Sequence, residues 1–345
     1  MPTLLPPTMK PETDSVVSVD APARLHLGFL DPSGSLGRRF GSVGLVIDGP
    51  ATQVEVSAAD ADAVVAATPA ARAEVARATE HLRHLREHTG RRQPVKLRLS
   101  QVLPPHAGLG SGTQLALAIG KAFARWHGLD VDAPTLATWL GRGLRSGVGI
   151  AGFDHGGLLV DGGPGAEGRP ASLLSRIEVP ASWRVVLVQD TRLQGLSGGD
   201  EKRALVELPP LTQSAAADIC HQVLMRILPG AALGEFAAFA AGVTQVQHVL
   251  GEHFAPAQQG RAFTSAAVGR LLQWLGSVDL DGASARAAIG QSSWGPTGFA
   301  VLPSQASAEA LLLAARAAGV IDAALDVRIV AARNHGAVLR DTRPR

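Results

Sequence analysis

The sequence holds a single cysteine, Cys220, and no tyrosine among its 345 residues. One thiol excludes an intramolecular disulfide and a zinc site built on several cysteines, and it agrees with a reducing, cytoplasmic setting. Aromatic residues make up only 4% of the chain, so Ala, Leu and Val must supply most of a core. Long apolar runs are missing too: the most apolar helical stretch, Ala231 to Val243, is short and interrupted by Glu235, which argues against a membrane span. Net charge is scarce. The 32 Lys and Arg stand against 30 Asp and Glu, without the clustered excess that nucleic-acid binding needs. Residues 1–14, rich in Pro and Thr, contain no apolar segment and read as a disordered tail rather than a signal peptide.

What is present is a folded, globular composition, with 46% apolar and 18% charged residues and enough chain for two lobes sharing a cleft. Strands are predicted at 16–19, 52–56, 95–99, 156–160, 185–188, 299–302 and 327–331, with a last turn at 334–336 into 337–339. Between the first two strands lies a glycine-rich segment, 34–49. Helices are predicted at 70–88, 114–127, 135–144, 215–228, 231–250, 262–275 and 308–318. The break near Pro180 to Trp183 divides the chain into an amino-terminal domain, 15–180, and a carboxy-terminal one, 181–345.

The strongest chemical signal is Pro104-Pro105-His106-Ala107-Gly108-Leu109-Gly110-Ser111-Gly112-Thr113-Gln114, where a strand ends, a glycine loop turns and a long apolar helix begins. Glycines let backbone approach an anion without Cβ clashes. The first helical N–H groups have no intrahelical partners, and the helix dipole adds about half a positive charge there, so phosphate or diphosphate is the expected guest. An ordinary turn capped by Ser111 or Thr113 reads equally well from the glycines alone.

This loop resembles the signature of the GHMP kinase superfamily. Ala21-Pro22-Ala23-Arg24-Leu25-His26-Leu27-Gly28 and Gly290-Gln291-Ser292-Ser293-Trp294-Gly295-Pro296-Thr297-Gly298-Phe299-Ala300 resemble that superfamily's amino- and carboxy-terminal motifs, in the right order. Within it, Arg24 to Asp31, Arg38 to Leu45, Arg145 to Ile150, His155 to Gly163 and Gly195 to Lys202 resemble the β-ribofuranosylaminobenzene 5′-phosphate synthase family, over roughly residues 15 to 340.

The resemblance implies an α+β, two-lobed fold with a ribosomal-protein-S5-like amino-terminal lobe and a ferredoxin-like carboxy-terminal lobe. It implies a decarboxylating phosphoribosyltransferase that joins 5-phosphoribosyl 1-diphosphate to 4-aminobenzoate or 4-hydroxybenzoate, releases CO₂ and diphosphate, and serves tetrahydromethanopterin synthesis. Mg²⁺ is the implied cofactor, with Ser111 and Glu201 as candidate ligands, and a homodimer is the implied assembly. Arg24, His26 and Asp154 are the expected catalytic groups. Pro105, Gly108, Leu109, Gly110, Ser111, Gly112 and Thr113 form the expected phosphate loop. Arg38, Arg39, Ser42, Arg145, Ser197, Lys202, Gly295 and Thr297 are the expected substrate contacts, the arginines because planar forks grip phosphate and carboxylate.

Three further patterns are set aside. Gly147-Val148-Gly149-Ile150-Ala151-Gly152 fits a dinucleotide fingerprint, but a helix precedes it and a strand follows, the reverse of the required context. Gly195-Leu196-Ser197-Gly198-Gly199 fits a nucleophile elbow, but its continuation does not read as an immediate helix. His81, His84 and His88 have helical metal spacing, but they read as a solvated face. The rival functions are an ATP-dependent kinase of the same superfamily and a non-catalytic ligand sensor on the same scaffold. Many such kinases carry Lys where this chain has Arg24.

Overall fold

Two long antiparallel strands, β1 (Val16–Asp31) and β2 (Phe40–Ala58), pair along nearly their whole length, with irregularities between Pro22 and Arg24 and between His26 and Gly28. These breaks re-aim side chains within one strand. The computed structural model describes residues 15–165, 169–196, 198–280 and 285–344, apart from the side chains of Asp200 and Lys202. The expected tail, residues 1–14, lies outside the described residues.

The next elements are β3 (Ala63–Ala66), α1 (Pro69–Ala73), α2 (Val75–Thr89), β4 (Val95–Gln101), α3 (Ser111–Trp126), α4 (Ala133–Trp139), α5 (Val148–His155), β5 (Leu158–Asp161) and β6 (Leu173–Ile177). After β7 (Arg184–Asp190) come α6 (Gly198–Glu207), α7 (Gln213–Gln222), a π-helical turn (Val223–Ile227), α8 (Leu228–Leu233), α9 (Phe236–Phe254), a 3₁₀ turn (Ala255–Gln258) and α10 (Ala266–Ser277). The chain closes with β8 (Ala288–Gln291), β9 (Thr297–Leu302), α11 (Gln305–Ala317), β10 (Leu325–Ala331) and β11 (Val338–Asp341).

One sheet runs β11-β1-β2-β4-β3, with β5 on the other half of β2 and β6 on β5; the second runs β10-β7-β9-β8. Helix α3 packs on β1 and β2, whereas α9 touches both β1 of the first sheet and β8 of the second. Leu115, Ile119 and Phe123 on α3 are at most 2% exposed, and each contributes about 1.5–3 kcal/mol by leaving water. Small residues bring helices close: a Cβ on Gly120 would sit 3.1 Å from Leu136 of α4. The largest apolar cluster joins Leu25, Leu45 and Leu109 of the first layer to Val185, Phe239 and Leu272 of the second, so the two lobes share one core. No helix among the described residues is long and apolar enough to cross a membrane.

Several expectations are corrected. The helix over 70–88 is broken at Glu74, which ends α1 and starts α2. The helix over 135–144 stops at Trp139, because Gly141 and Gly143 adopt left-handed φ of 66° and 83°. Most of the glycine-rich segment is strand β2, and the short β3 and β6 escaped the sequence reading. A cut at 180/181 does not separate the sheets: β11 pairs with β1, and Ala332 bridges to Ile47. His81 faces inward, 4% exposed, with neither ring nitrogen partnered, so the three histidines do not share a wet face.

Candidate active site

After β4, Pro104 and Pro105 end the ladder, and the loop turns through His106, Gly108 and Gly110, all with positive φ. Gly110 caps α3 in the left-handed region, and no side chain supplies a cap. The amides of Thr113 and Gln114 return to the Gly110 carbonyl at 3.0 Å each. The amides of Ser111 and Gly112 have no helical acceptor and remain for a guest. Neither Ser111 nor Thr113 spends its hydroxyl on the cap.

Strand β1 lays Arg24 across this loop. Its backbone N–H donates to Leu109 O at 3.2 Å, and its Nη1 donates to Gly108 O at 2.8 Å. Its guanidinium lies beside Gly110, 3.3 Å from where a Cβ would stand, and Nε is buried without a partner. Burial lowers the Arg24 pKa to about 10, which still leaves it charged at neutral pH.

The carboxy-terminal glycine motif closes the other side. Ser292 Oγ donates to Gly108 O at 2.6 Å and accepts from His26 N–H at 2.9 Å. A Cβ on Gly108 would fall 2.1 Å from Ser292 O, and one on Gly295 would fall 2.3 Å from the Ala107 carbonyl. Gly195 N–H donates to His106 O at 2.9 Å, and a Cβ there would meet Trp294 O at 2.2 Å. Gly108, Gly195 and Gly295 are therefore required by backbone touching backbone, whereas Gly110 and Gly112 face side chains of the cleft.

Together these loops wall a cleft of about 590 Å³. Arg24 of β1 and Arg142 and Arg145 of the loop between α4 and α5 line it, and Glu201 is the acid among its described lining residues. Arg145 Nη2 pairs with Glu201 at 2.7 Å, but its Nη1 is buried without a partner, as is Arg142 Nε. His26 is 3% exposed, its ring edge on Phe29 at 4.5 Å, with Nε2 unpartnered. Burial first, then Arg24 and Arg145, lower its pKa to about 3, so the imidazole is neutral. Cations with unspent donors, bare amides and a neutral imidazole are groups that can together hold an anion and hydrogen-bond a neutral group beside it.

The chain is 33% identical over 300 residues to the β-ribofuranosylphenol 5′-phosphate synthase of Archaeoglobus fulgidus, covering 83% of this chain and 87% of that protein. The chain belongs to the β-ribofuranosylphenol 5′-phosphate synthase family. The protein of the same name from Methanothermobacter thermautotrophicus is 29% identical over 300 residues, 82% of this chain and 88% of the relative. Residues 74–157 match the GHMP kinases N terminal domain. Among solved structures, Streptococcus pneumoniae phosphomevalonate kinase superposes with a TM-score of 0.68 at 12% identity, covering 93% of this chain and all of that one. Homoserine kinase from Cytophaga hutchinsonii gives 0.58 at 17%, covering 98% and 100%. These two establish the fold alone: the two-lobed α+β architecture of GHMP kinases.

Within this synthase-family chain, Arg24, His26, Gly108, Gly110, Ser111, Gly112, Thr113, Arg145, Glu201 and Gly295 converge on the cleft. Others do not. Asp154 is exposed on the last turn of α5 and lines a separate depression of about 710 Å³, with Arg38. Arg38 is held by the carbonyls of Gly162 and Gly163, and exposed Arg39 stacks on Phe40 at 4.9 Å and bonds Pro32 O. Ser42 is 0% exposed and bonds Asp161 and Ser146 behind the wall, and Thr297 is 0% exposed inside β9. Leu109 points into the core as the loop's anchor, and Pro105 precedes the turn without lining the cleft. Ser197 and the side chain of Lys202 lie outside the described residues. Helix α6 begins at Gly198, contrary to the sequence reading; the described residues 191–196 belong to neither β7 nor α6.

Arg142, Ser146, Ser293 and Trp294 also line the cleft and were not singled out from the sequence. The signal for Arg142 was the spacing Gly141-Arg142-Gly143, which breaks a helix and presents an arginine on a loop.

Proposed function

We propose that the chain joins the C1 of 5-phosphoribosyl 1-diphosphate to the ring carbon that bears the carboxylate of 4-hydroxybenzoate or 4-aminobenzoate. The C1–O bond to diphosphate breaks, a C1–C bond forms, and the carboxylate leaves as CO₂, its bonding pair returning to the ring. The balance requires no net proton. The observation that carries this reading is the set of unspent guanidinium donors around the bare start of α3, with a buried neutral His26 beside it. Arg24, Arg142 and Arg145 would hold the departing negative charge, while Phe29, Leu196 and Trp294 offer an apolar wall against which an aromatic ring packs and water is excluded.

Mg²⁺ fits this site as an ion carried by the diphosphate. No three described His, Cys, Asp or Glu side chains form a cage, and magnesium is commonly held by one or two carboxylates together with substrate phosphates. Glu201 and the Ser111 hydroxyl are the cleft groups that would hold it, and the ion would neutralise charge on the leaving diphosphate. The product class named by the relatives is consistent with a place in methanopterin synthesis.

The test is purified protein with Mg²⁺, 5-phosphoribosyl 1-diphosphate and carboxyl-labelled 4-hydroxybenzoate or 4-aminobenzoate. Labelled CO₂ released in step with diphosphate is expected. ATP consumption with no CO₂ would replace this reading with the kinase, and donor binding without turnover on either would replace it with the sensor.

A further inference from the structure

The loop after α4 carries an arginine whose surroundings are arranged around the first turn of α3. Arg142 leans over Gly112, where a Cβ would stand 3.3 Å from its Nη1. Its Nε is buried and unpartnered. Arg142 has no ion-pair partner among the described residues, and it lines the cleft.

Arg24 lies beside Gly110 in the same way that Arg142 lies beside Gly112, each 3.3 Å from the missing Cβ. Two guanidiniums therefore stand beside the start of α3, one at Gly110 and one at Gly112, where the amides of Ser111 and Gly112 have no helical acceptor. A single carboxylate or phosphate saturates one fork; two linked phosphates engage both. We propose that Arg142 and Arg24 together form a diphosphate clamp and that position 112 is glycine to admit the Arg142 guanidinium. This rests on the reading that the cleft takes a phosphoribosyl diphosphate, and it assigns the diphosphate end of that donor to the start of α3.

Calorimetric titration of the full chain with inorganic diphosphate, and separately with inorganic phosphate, each with Mg²⁺, tests the clamp without turnover. Diphosphate should bind at least ten-fold tighter than phosphate. Arg142→Ala should remove most of that preference while changing phosphate affinity by less than three-fold. Arg142→Lys, which keeps charge but loses the fork, should fall between. Gly112→Ala should weaken diphosphate binding several-fold in the wild-type background and add nothing in Arg142→Ala, because both changes remove one interaction. Unchanged diphosphate affinity in a folded Arg142→Ala or Arg142→Lys protein, or additive losses in the double variant, would overturn the proposal. Arg142-dependent diphosphate binding in a protein that releases no CO₂ would leave the clamp standing and sink the synthase reading; CO₂ release with Arg142-independent binding would do the reverse.

Discussion

Arg24 and Asp161 stand on the two strands that flank β2, and their charges meet opposite treatment. Asp161 is 0% exposed and saturated: it accepts from Ser42, from the amides of Gly147 at 2.8 Å and Val148 at 3.2 Å, and from Gly163 N–H at 2.8 Å. Arg24, only half-buried overall, spends Nη1 on one carbonyl and leaves its buried Nε with nothing. Burying a charged or polar group without partners costs stability, so a chain keeps such a deficit where a ligand will fill it. The saturated carboxylate fastens the loop that carries Arg145 and Ser146; the unsaturated guanidinium faces the guest.

The comparison is most exposed at Arg24. Arg24→Ala should lower kcat/KM by about 10³-fold, the scale of losing a preorganised charge-stabilising group, while stability falls by no more than about 2 kcal/mol. Arg24→Lys should recover part of the activity, since it restores charge without the fork. Assays run beside thermal melts check this, and a collapse of both together would make Arg24 a wall residue like Asp161. Next, Asp161→Ala should cost about 3 kcal/mol in denaturant unfolding by stranding three backbone amides and the Ser42 hydroxyl; a loss under 1 kcal/mol would remove the distinction from the other side.

A smaller effect lies in acid. His26 and His81 have native pKa values of about 3, so the unfolded chain takes up protons near pH 6.5 that the native chain refuses. Stability should fall as pH drops from 6.5 towards 3, by about 1.4 kcal/mol per pH unit for each histidine. His81→Leu should flatten that slope by about half of this two-histidine contribution; an unaltered slope would show that His81 titrates normally. The smallest effect is expected at Asp154, which faces the other depression: Asp154→Asn should change kcat/KM by less than about two-fold, and a large loss would bring α5 into the chemistry.

The convergence of the three glycine-bearing motifs was legible in the sequence because each is short and its residue types have few other uses. The strand lengths were not. Proline at 22, glycine at 28 and the two irregularities in β1 interrupt the period-two pattern, and burial on both faces of β1 and β2 erases polar alternation. The place of Asp154 in the fold was hidden for a similar reason. Asp154 follows a motif-like run in sequence, but that run is the body of α5, whose last turn carries Asp154 to the far side of the loop it was expected to serve. Arg142 was hidden because its importance comes from Gly112, which is distant in sequence and meets it only in the fold.

Strand β11 lies antiparallel on β1, pairing Asp341 with Val17, and Arg343 stacks on Trp126 at 5.0 Å. During synthesis on the ribosome, the hydrogen-bonding edge of β1 is the first of the sheet to emerge and among the last to be covered. Everything between must be made before the seam can be sewn. A nascent chain halted short of residue 338 would carry an open strand edge, a template for pairing with another chain. The safe assembly of the amino-terminal lobe is thus timed by a strand made long after β1.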